Sequence, residues 1–342
     1  MAVASAPKSK IAYLGPPASY THQAAVDSFE EQKFALDPQV SIRDVFATVQ
    51  SSNASFGVVP FENSSNGSVL ETLDLLIDKE KDFPDIEVCA ETYVNVQHCL
   101  LGHVHESMGY EGRKSQASTA NVISSTMIPY PREPRAKPLA DLKHIKRIHS
   151  HPQAFGQSEA FLSTYLKLAK RHDLSSTSEA ANIVALDKSG ESAAVASRLA
   201  ANVHGLSVLA EGIQDAENNS TRFLIIQKGP TPPGRLGLLP EKFHVDPNSN
   251  PDRKALVAFS INHETKGALA KVLLIFKQHN LNLTSINSRP SRIRPWHYIF
   301  LVEFEGKEEL RDPELLHIGL EELNMNTEGN KWLGCWVDRF VR

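Results

Sequence analysis

Between Gly229 and Arg253 the chain carries six prolines and three glycines in 25 residues, with no apolar period. Such a stretch can neither continue a helix nor sit inside a sheet, so it reads as a linker between two parts that build their own cores. The two parts have different rhythms. Beyond the linker, residues 254–342 give strands at Leu256–Ile261, Leu283–Ser288, Trp296–Phe304 and Trp332–Phe340. Helices are expected at Gly267–Asn280, with Leu269, Val272, Leu273 and Phe276 on one face, and at Pro313–Met325, with Leu316, Leu320 and Leu323 on one side. The order βαββαβ is that of the ferredoxin-like split unit, two helices over one face of an antiparallel sheet.

Upstream, residues 1–9 are small and polar and are expected to be disordered. Ile11–Gly15 then reads as a strand, Pro16–His22 as a loop and Gln23–Glu31 as a helix. The unit recurs at Phe56–Pro60, followed by the polar loop Phe61–Gly67 and a helix from Ser68, where Ser68 and Glu71 form a capping box. Val88–Leu101 is expected to carry the chain into a second lobe. Further on, Ser118–Asn121 reads as a helix start, the proline-bearing Met127–Lys146 as a surface loop, and Ser150 as the cap of a helix running through Lys170. Ser176 and Glu179 offer another capping box, Ala193–Ala196 a strand, Ser197–His204 a helix and Leu206–Leu209 a last strand before the linker. This alternation predicts an α/β fold with largely parallel sheets. The strand count predicts two lobes with a cleft between them, the first lobe from residues 10–98 and 206–228 and the second from 99–205.

A formal net charge of -4 gives no basic footprint, so neither nucleic acid nor an anionic membrane is an expected partner. No apolar run is long enough to span a bilayer, and Met1–Lys10 lacks the apolar core of a signal peptide. Three unpatterned cysteines, Cys89, Cys99 and Cys335, fit reduced thiols and a cytoplasmic setting. There is no G-x-G-x-x-G, no P-loop, no zinc spacing and no G-x-S-x-G elbow, so no cofactor, no metal and no hydrolase triad is expected.

The polar run Glu217–Arg222 feeding the apolar run Phe223–Ile226 reads as a buried strand with polar groups at its mouth. Helix starts rich in Ser, Thr, Asn and Gln at Ser19–His22, Glu62–Ser68, Ser118–Asn121, Ser150–Gln153 and Thr177–Glu179 suit a small anionic ligand, because free N-H groups and the helix dipole favour negative charge. Proton donation would then rest on Thr221, Glu62 or a histidine, with Arg222 stabilising charge.

These residues resemble a known family. Asn219-Ser220-Thr221-Arg222-Phe223 is similar to the N-x-T-R-F signature of prephenate dehydratases, and Pro60–Val69 resembles their P-x-E-N-S-x-x-G-x-V segment. Ser150-His151-Pro152-Gln153-Ala154 resembles their S-H-P-Q-A helix start. Gly15-Pro16 with Ser19–His22, and His98-Cys99-Leu100, resemble the first loop and the crossing segment. The resemblance implies loss of water and carbon dioxide from prephenate to give phenylpyruvate, on a two-lobed catalytic region of the type II periplasmic-binding-protein kind spanning residues 10–228. It implies catalytic roles for Thr221, Arg222 and Asn219, and substrate contacts from Glu62, Asn63, Ser64, Ser150, Gln153, Tyr20, Thr21 and Phe223.

Residues 254–342 resemble an ACT regulatory domain, which implies homodimers or homotetramers and feedback by L-phenylalanine. Gly267, Ala268 and Leu269 match the family's G-A-L; Asn287, Ser288, Arg289 and Pro290 stand where its E-S-R-P usually lies, with Asn in place of Glu. The start of the pattern at Ile11 is expected to leave no mutase or dehydrogenase ahead of it. Arogenate dehydratase shares the motifs, and a non-catalytic amino-acid-responsive binding protein could be built from the same modules.

Overall fold

The computed structural model describes residues 8–104, 133–229, 239–244, 249 and 251–340. In chain order the first elements are β1 (Ser9–Leu14), α1 (Tyr20–Ser28), β2 (Phe34–Gln39), α2 (Ile42–Gln50), β3 (Phe56–Asn63), β4 (Gly67–Ser68), α3 (Leu70–Ile77) and β5 (Ile86–Asn95). Next come β6 (Cys99–Gly102), β7 (Arg147–Ser150), α4 (Pro152–Gly156), α5 (Glu159–Tyr165), β8 (Lys170–Asp173), α6 (Thr177–Leu186), β9 (Ser192–Ala196), α7 (Arg198–His204), β10 (Ser207–Glu211) and β11 (Ser220–Lys228). The C-terminal part holds β12 (Arg253–Ser260), α8 (Ala268–Gln278), β13 (Asn282–Pro290), β14 (Tyr298–Gly306), α9 (Glu308–Arg311), α10 (Pro313–Met325) and β15 (Gly329–Val337).

The described residues fall into two compact units, those within 8–15, 24–94 and 221–340 in one and those within 16–23 and 95–220 in the other. In the first, the strands run β2-β1-β3-β11-β5, with β4 paired to β3. β11 lies between β3 and β5, which is why Phe223–Ile226 is an uninterrupted apolar run: both faces of an interior strand are covered, and all four side chains are buried. In the second unit the order is β10-β6-β9-β7-β8. Both sheets are mixed rather than largely parallel: β1 runs parallel to β2 and β3 while β11 runs antiparallel to β3, and β6 runs antiparallel to β9 and β10.

β10 corrects the expected lobe boundary. Ser207–Glu211 pairs with β6 in the second unit, so the chain leaves that unit between Ser220 and Thr221 and not near residue 206. The helix expected through Lys170 is broken into α4 and α5, and Lys170–Asp173 extends as β8 beside β7. Its cap is His151, whose Nδ1 accepts from the Gln153 N-H at 3.2 Å; Ser150 ends β7 instead. The Ser68–Glu71 capping box does not form. Ser68 is held in β4, so α3 begins at Leu70 without a side-chain cap. At α6, Ser176 caps the Glu179 N-H, and the Glu179 carboxylate accepts from Ser175. The expected helix start at Ser118–Asn121 lies outside the described residues. Of the Met127–Lys146 segment, the described part returns to the second unit's core through Leu142 and Ile145, so it is not all surface loop.

The C-terminal sheet runs β13-β14-β12-β15, antiparallel throughout, the ferredoxin-like order. Ala255, Val257, Phe259, Val302 and Phe304 face α8 and α10. The opposite face, Leu256, Ala258, Leu301, Leu333 and Trp336, joins the same cluster as Val45, Phe46, Leu73, Leu76 and Val88. The expected separate domain on a linker therefore shares a core with the rest of the first unit, each fully buried large side chain contributing about 1.5–3 kcal/mol. The linker is itself docked where it is described: Leu239 and Phe243 are buried, and Lys242 donates to the carbonyl of Asp27. Among the described residues no helix is long and apolar enough to cross a membrane.

Candidate active site

The signature strand meets the polar loop across one ladder. β11 pairs with β3 so that Thr221 faces Asn63 and Arg222 faces Glu62, and the register then slips, because Phe223 pairs with Pro60. The slip leaves Phe61 without an opposite residue, a bulge of the kind that re-aims neighbouring side chains. Asn63 Nδ2 donates to Thr221 Oγ1 at 2.9 Å. Its Oδ1 accepts from the N-H groups of Ser65 and Asn66, 3.0 Å each, fixing the turn that also carries exposed Ser64. Glu62 to Ser68 is thus a hairpin turn and not a helix N-terminus.

Arg222 points into the protein. Its Nε reaches Glu91 at 2.8 Å and its Nη2 reaches Glu91 at 2.6 Å and Glu303 at 2.5 Å, with the guanidinium 5.1 Å from the Phe61 ring centre. Burial alone would lower the pKa of the guanidinium; the two carboxylates beside it more than reverse that and hold it above its ordinary value. Lys254 extends the cluster to Glu91 at 3.3 Å and Asp338 at 2.8 Å, and the Arg339 N-H donates to Glu91 at 2.9 Å. Glu303 also accepts from the Thr284 hydroxyl at 2.8 Å. Arg222, placed among catalytic residues by the sequence, has its side chain committed to a buried ion-pair network, and Phe223 is a core residue 1% exposed.

The remaining residues expected at the catalytic site, Tyr20, Thr21, Ser150, Gln153 and Asn219, lie in the second unit. The Tyr20 hydroxyl donates to the Gln97 carbonyl at 3.2 Å and lies 3.1 Å from His98 Nδ1, while His98 Nε2 lies 2.8 Å from Gln157 Oε1. Burial pushes the Tyr20 phenol up and the His98 imidazole down, so His98 is neutral at pH 7. Ser150 is fully buried and donates to the Val195 carbonyl at 2.7 Å; Thr21 is buried as well. Gln153 is exposed on α4. Asn219 is buried, and its carbonyl accepts from the Val96 N-H at 2.8 Å, tying together the two segments by which the chain enters and leaves this unit.

In the C-terminal sheet, Gly267 begins α8 with a positive φ of 79°, and Ala268 and Leu269 pack on the helical side. Asn287 and Arg289 point to the other side: Asn287 accepts from the Ser68 hydroxyl at 3.2 Å, and Arg289 binds Asp74 through two bonds of 2.8 and 2.7 Å. Ser288 and Pro290 are exposed. The two segments of the expected phenylalanine site therefore present side chains to opposite faces of one sheet. Glu91, Glu303, Lys254 and Asp338 were missed by sequence reasoning. The available signal was that each of two largely apolar strands, β5 and β14, carries two glutamates, of which Glu91 and Glu303 are buried; a sheet covered on both faces tolerates such a group only with a cationic partner.

These elements define an α/β protein of two mixed sheets with a ferredoxin-like module built into its first core. The chain belongs to the prephenate dehydratase family, whose description, Prephenate dehydratase, matches residues 11–231. It is 31% identical over 329 residues to the bifunctional chorismate mutase/prephenate dehydratase of Aquifex aeolicus, covering 96% of this chain and 74% of that protein. Two solved structures share the fold. The prephenate dehydratase of Arthrobacter aurescens in complex with L-Phe gives a TM-score of 0.72 at 23% identity, covering 96% of this chain and 90% of that one. GqqA, described as a novel type of quorum quenching acylase, gives 0.71 at 24% identity, covering 97% and 100%.

Proposed function

We propose that this chain converts prephenate to phenylpyruvate, water and carbon dioxide, with Thr221 as the group that hydrogen-bonds the departing ring hydroxyl. The observation that carries the reading is the bond from Asn63 to Thr221: with its oxygen engaged as an acceptor, the threonine hydroxyl has its own proton to offer. The reaction balances without an oxidant or reductant. The electron pair of the ring C–carboxylate bond moves into the ring as carbon dioxide departs, the ring C–O bond breaks, and one proton converts the leaving hydroxide to water. Threonine is too weak an acid to protonate by a shifted pKa, so its effect rests on position, and such donors are worth roughly 100- to 10,000-fold. Asn219, Ser64, Gln153 and the turn at Asn63 are the groups we assign to the substrate carboxylates, and Arg222 to orienting the strand.

We further assign residues 254–342 to an ACT domain through which L-phenylalanine inhibits and subunits associate as dimers or tetramers, in the cytoplasm. Support comes from the ferredoxin-like order and from the L-Phe complex of the Arthrobacter protein. The test is phenylpyruvate formation by the purified chain given prephenate or arogenate separately, with and without L-phenylalanine, alongside sedimentation. Prephenate turnover suppressed by phenylalanine is the expected result. Turnover of arogenate alone would make this an arogenate dehydratase, and binding of phenylalanine without turnover of either would favour a non-catalytic sensor.

A further inference from the structure

We infer that Glu303, on β14 of the C-terminal sheet, is a positioning residue for Thr221, acting through Arg222; the inference rests on the dehydratase reading of Thr221. Thr221 and Arg222 pair with Asn63 and Glu62 just outside the bulge, which shifts the register between Arg222 and Phe223. Two side-chain anchors add to this end of the ladder. On one side Asn63 holds the hydroxyl. On the other, the neighbouring residue Arg222 is fastened by Glu91 and Glu303, and its guanidinium covers Phe61, the residue the bulge leaves unpaired.

Of the two carboxylates, Glu91 is shared with Lys254 and the Arg339 N-H, so it has other reasons to be present. Glu303 is committed: one oxygen takes Arg222 and the other is held by Thr284. A buried acid in an apolar strand is costly to keep unless it is partnered, and here Arg222 and Thr284 take one oxygen each. Its geometry makes sense as a fixed post for the arginine next to the reacting hydroxyl. The C-terminal sheet thereby supplies part of what aims the catalytic strand, and a shift of β14 is transmitted to Thr221 by a single ion pair.

The experiment compares full-length wild type with Glu303→Gln, Thr284→Val and Asp338→Asn, measuring kcat and KM for prephenate and the melting temperature. Glu303→Gln is expected to lower kcat by about 10- to 100-fold, the effect of a displacement of about 1 Å at the reacting group, with KM within about twofold. Thr284→Val, which frees one oxygen of Glu303 and leaves every charge in place, is expected to move kcat the same way by less, and it decides the matter if Glu303→Gln does not fold. Asp338→Asn takes a carboxylate from the same buried cluster but from Lys254, not from Arg222, and is expected to keep the wild-type kcat whatever it does to melting. A wild-type kcat in Glu303→Gln, or an equal loss in Asp338→Asn, overturns the inference while leaving the dehydratase reading intact. A wild type that fails to turn prephenate over overturns that reading, and this inference with it.

Discussion

Asn63 and Thr221 sit opposite each other on β3 and β11, and the amide of Asn63 donates to the threonine hydroxyl at 2.9 Å. The polar loop after Pro60 and the signature strand, 158 residues apart in sequence, are thus one device. The amide fixes the hydroxyl rotor, and the same side chain holds its own turn through Ser65 and Asn66.

On the role proposed for Thr221, Thr221→Ala is expected to lower kcat by roughly 100- to 10,000-fold with KM little changed, because a hydroxyl that acts on the leaving group adds nothing to ground-state binding. Thr221→Ser should recover much of the rate. Steady-state kinetics on the two variants provides the check: a threonine that matters only for packing would show the serine variant impaired along with the alanine.

For Arg222 the expected outcome is a loss of stability. Removing it by Arg222→Ala leaves Glu91 and Glu303 buried with a depleted cationic neighbourhood, a change that costs about 3–5 kcal/mol when a buried pair is broken. Urea unfolding measures this directly. An arginine devoted to substrate would instead raise KM and leave the unfolding midpoint in place.

How much of this was readable in advance follows from which interactions are local. The strands and helices of the C-terminal part appear within a few residues of their expected positions because turn residues and apolar period set them locally. β2 and α2 lie outside the sequence expectations although Ser41 and Asp44 form a full capping box at the start of α2; with Asp in place of the usual Glu or Gln, that box is a weaker signal in the sequence. Ser150 looked like a cap because Ser ahead of Pro is a strong local signal; tertiary pairing of β7 with β9 and the bond to Val195 claimed it first. The docking of the C-terminal sheet could not be read at all. Alternate residues of β12 are apolar on both faces, which says that both faces are covered without saying by what.

That docking gives the next prediction. Gly334, on β15 at φ +125°, faces β5 so closely that a Cβ there would lie 2.1 Å from the Val88 carbonyl oxygen and 3.0 Å from its backbone nitrogen. Backbone cannot yield as a side chain would, so Gly334→Ala is expected to cost about 3 kcal/mol or more. Gly212→Ala is the comparison: φ is +67° with nothing within 4 Å, so only the left-handed backbone penalty of about 1–2 kcal/mol applies. Thermal unfolding of the two variants should separate them clearly; equal melting temperatures would mean that the sheet is not seated against β5.

Asp74 and Arg289 supply a pH-dependent contact between α3 and β13. The paired hydrogen bonds from Arg289 hold the Asp74 carboxyl below its ordinary pKa, with Lys79 adding attraction at 3.7 Å. Because the folded state binds the proton less readily than the unfolded chain, the contribution is complete above the ordinary carboxylate value of about 4 and fades as the pH falls through the lower folded value. Asp74→Asn should therefore cost about 1 kcal/mol at neutral pH, as expected for a partly exposed pair, and progressively less below about pH 4. Urea midpoints for wild type and variant at about pH 7 and pH 3 test this. A penalty that stays constant across that range would show that Asp74 contributes through packing rather than charge.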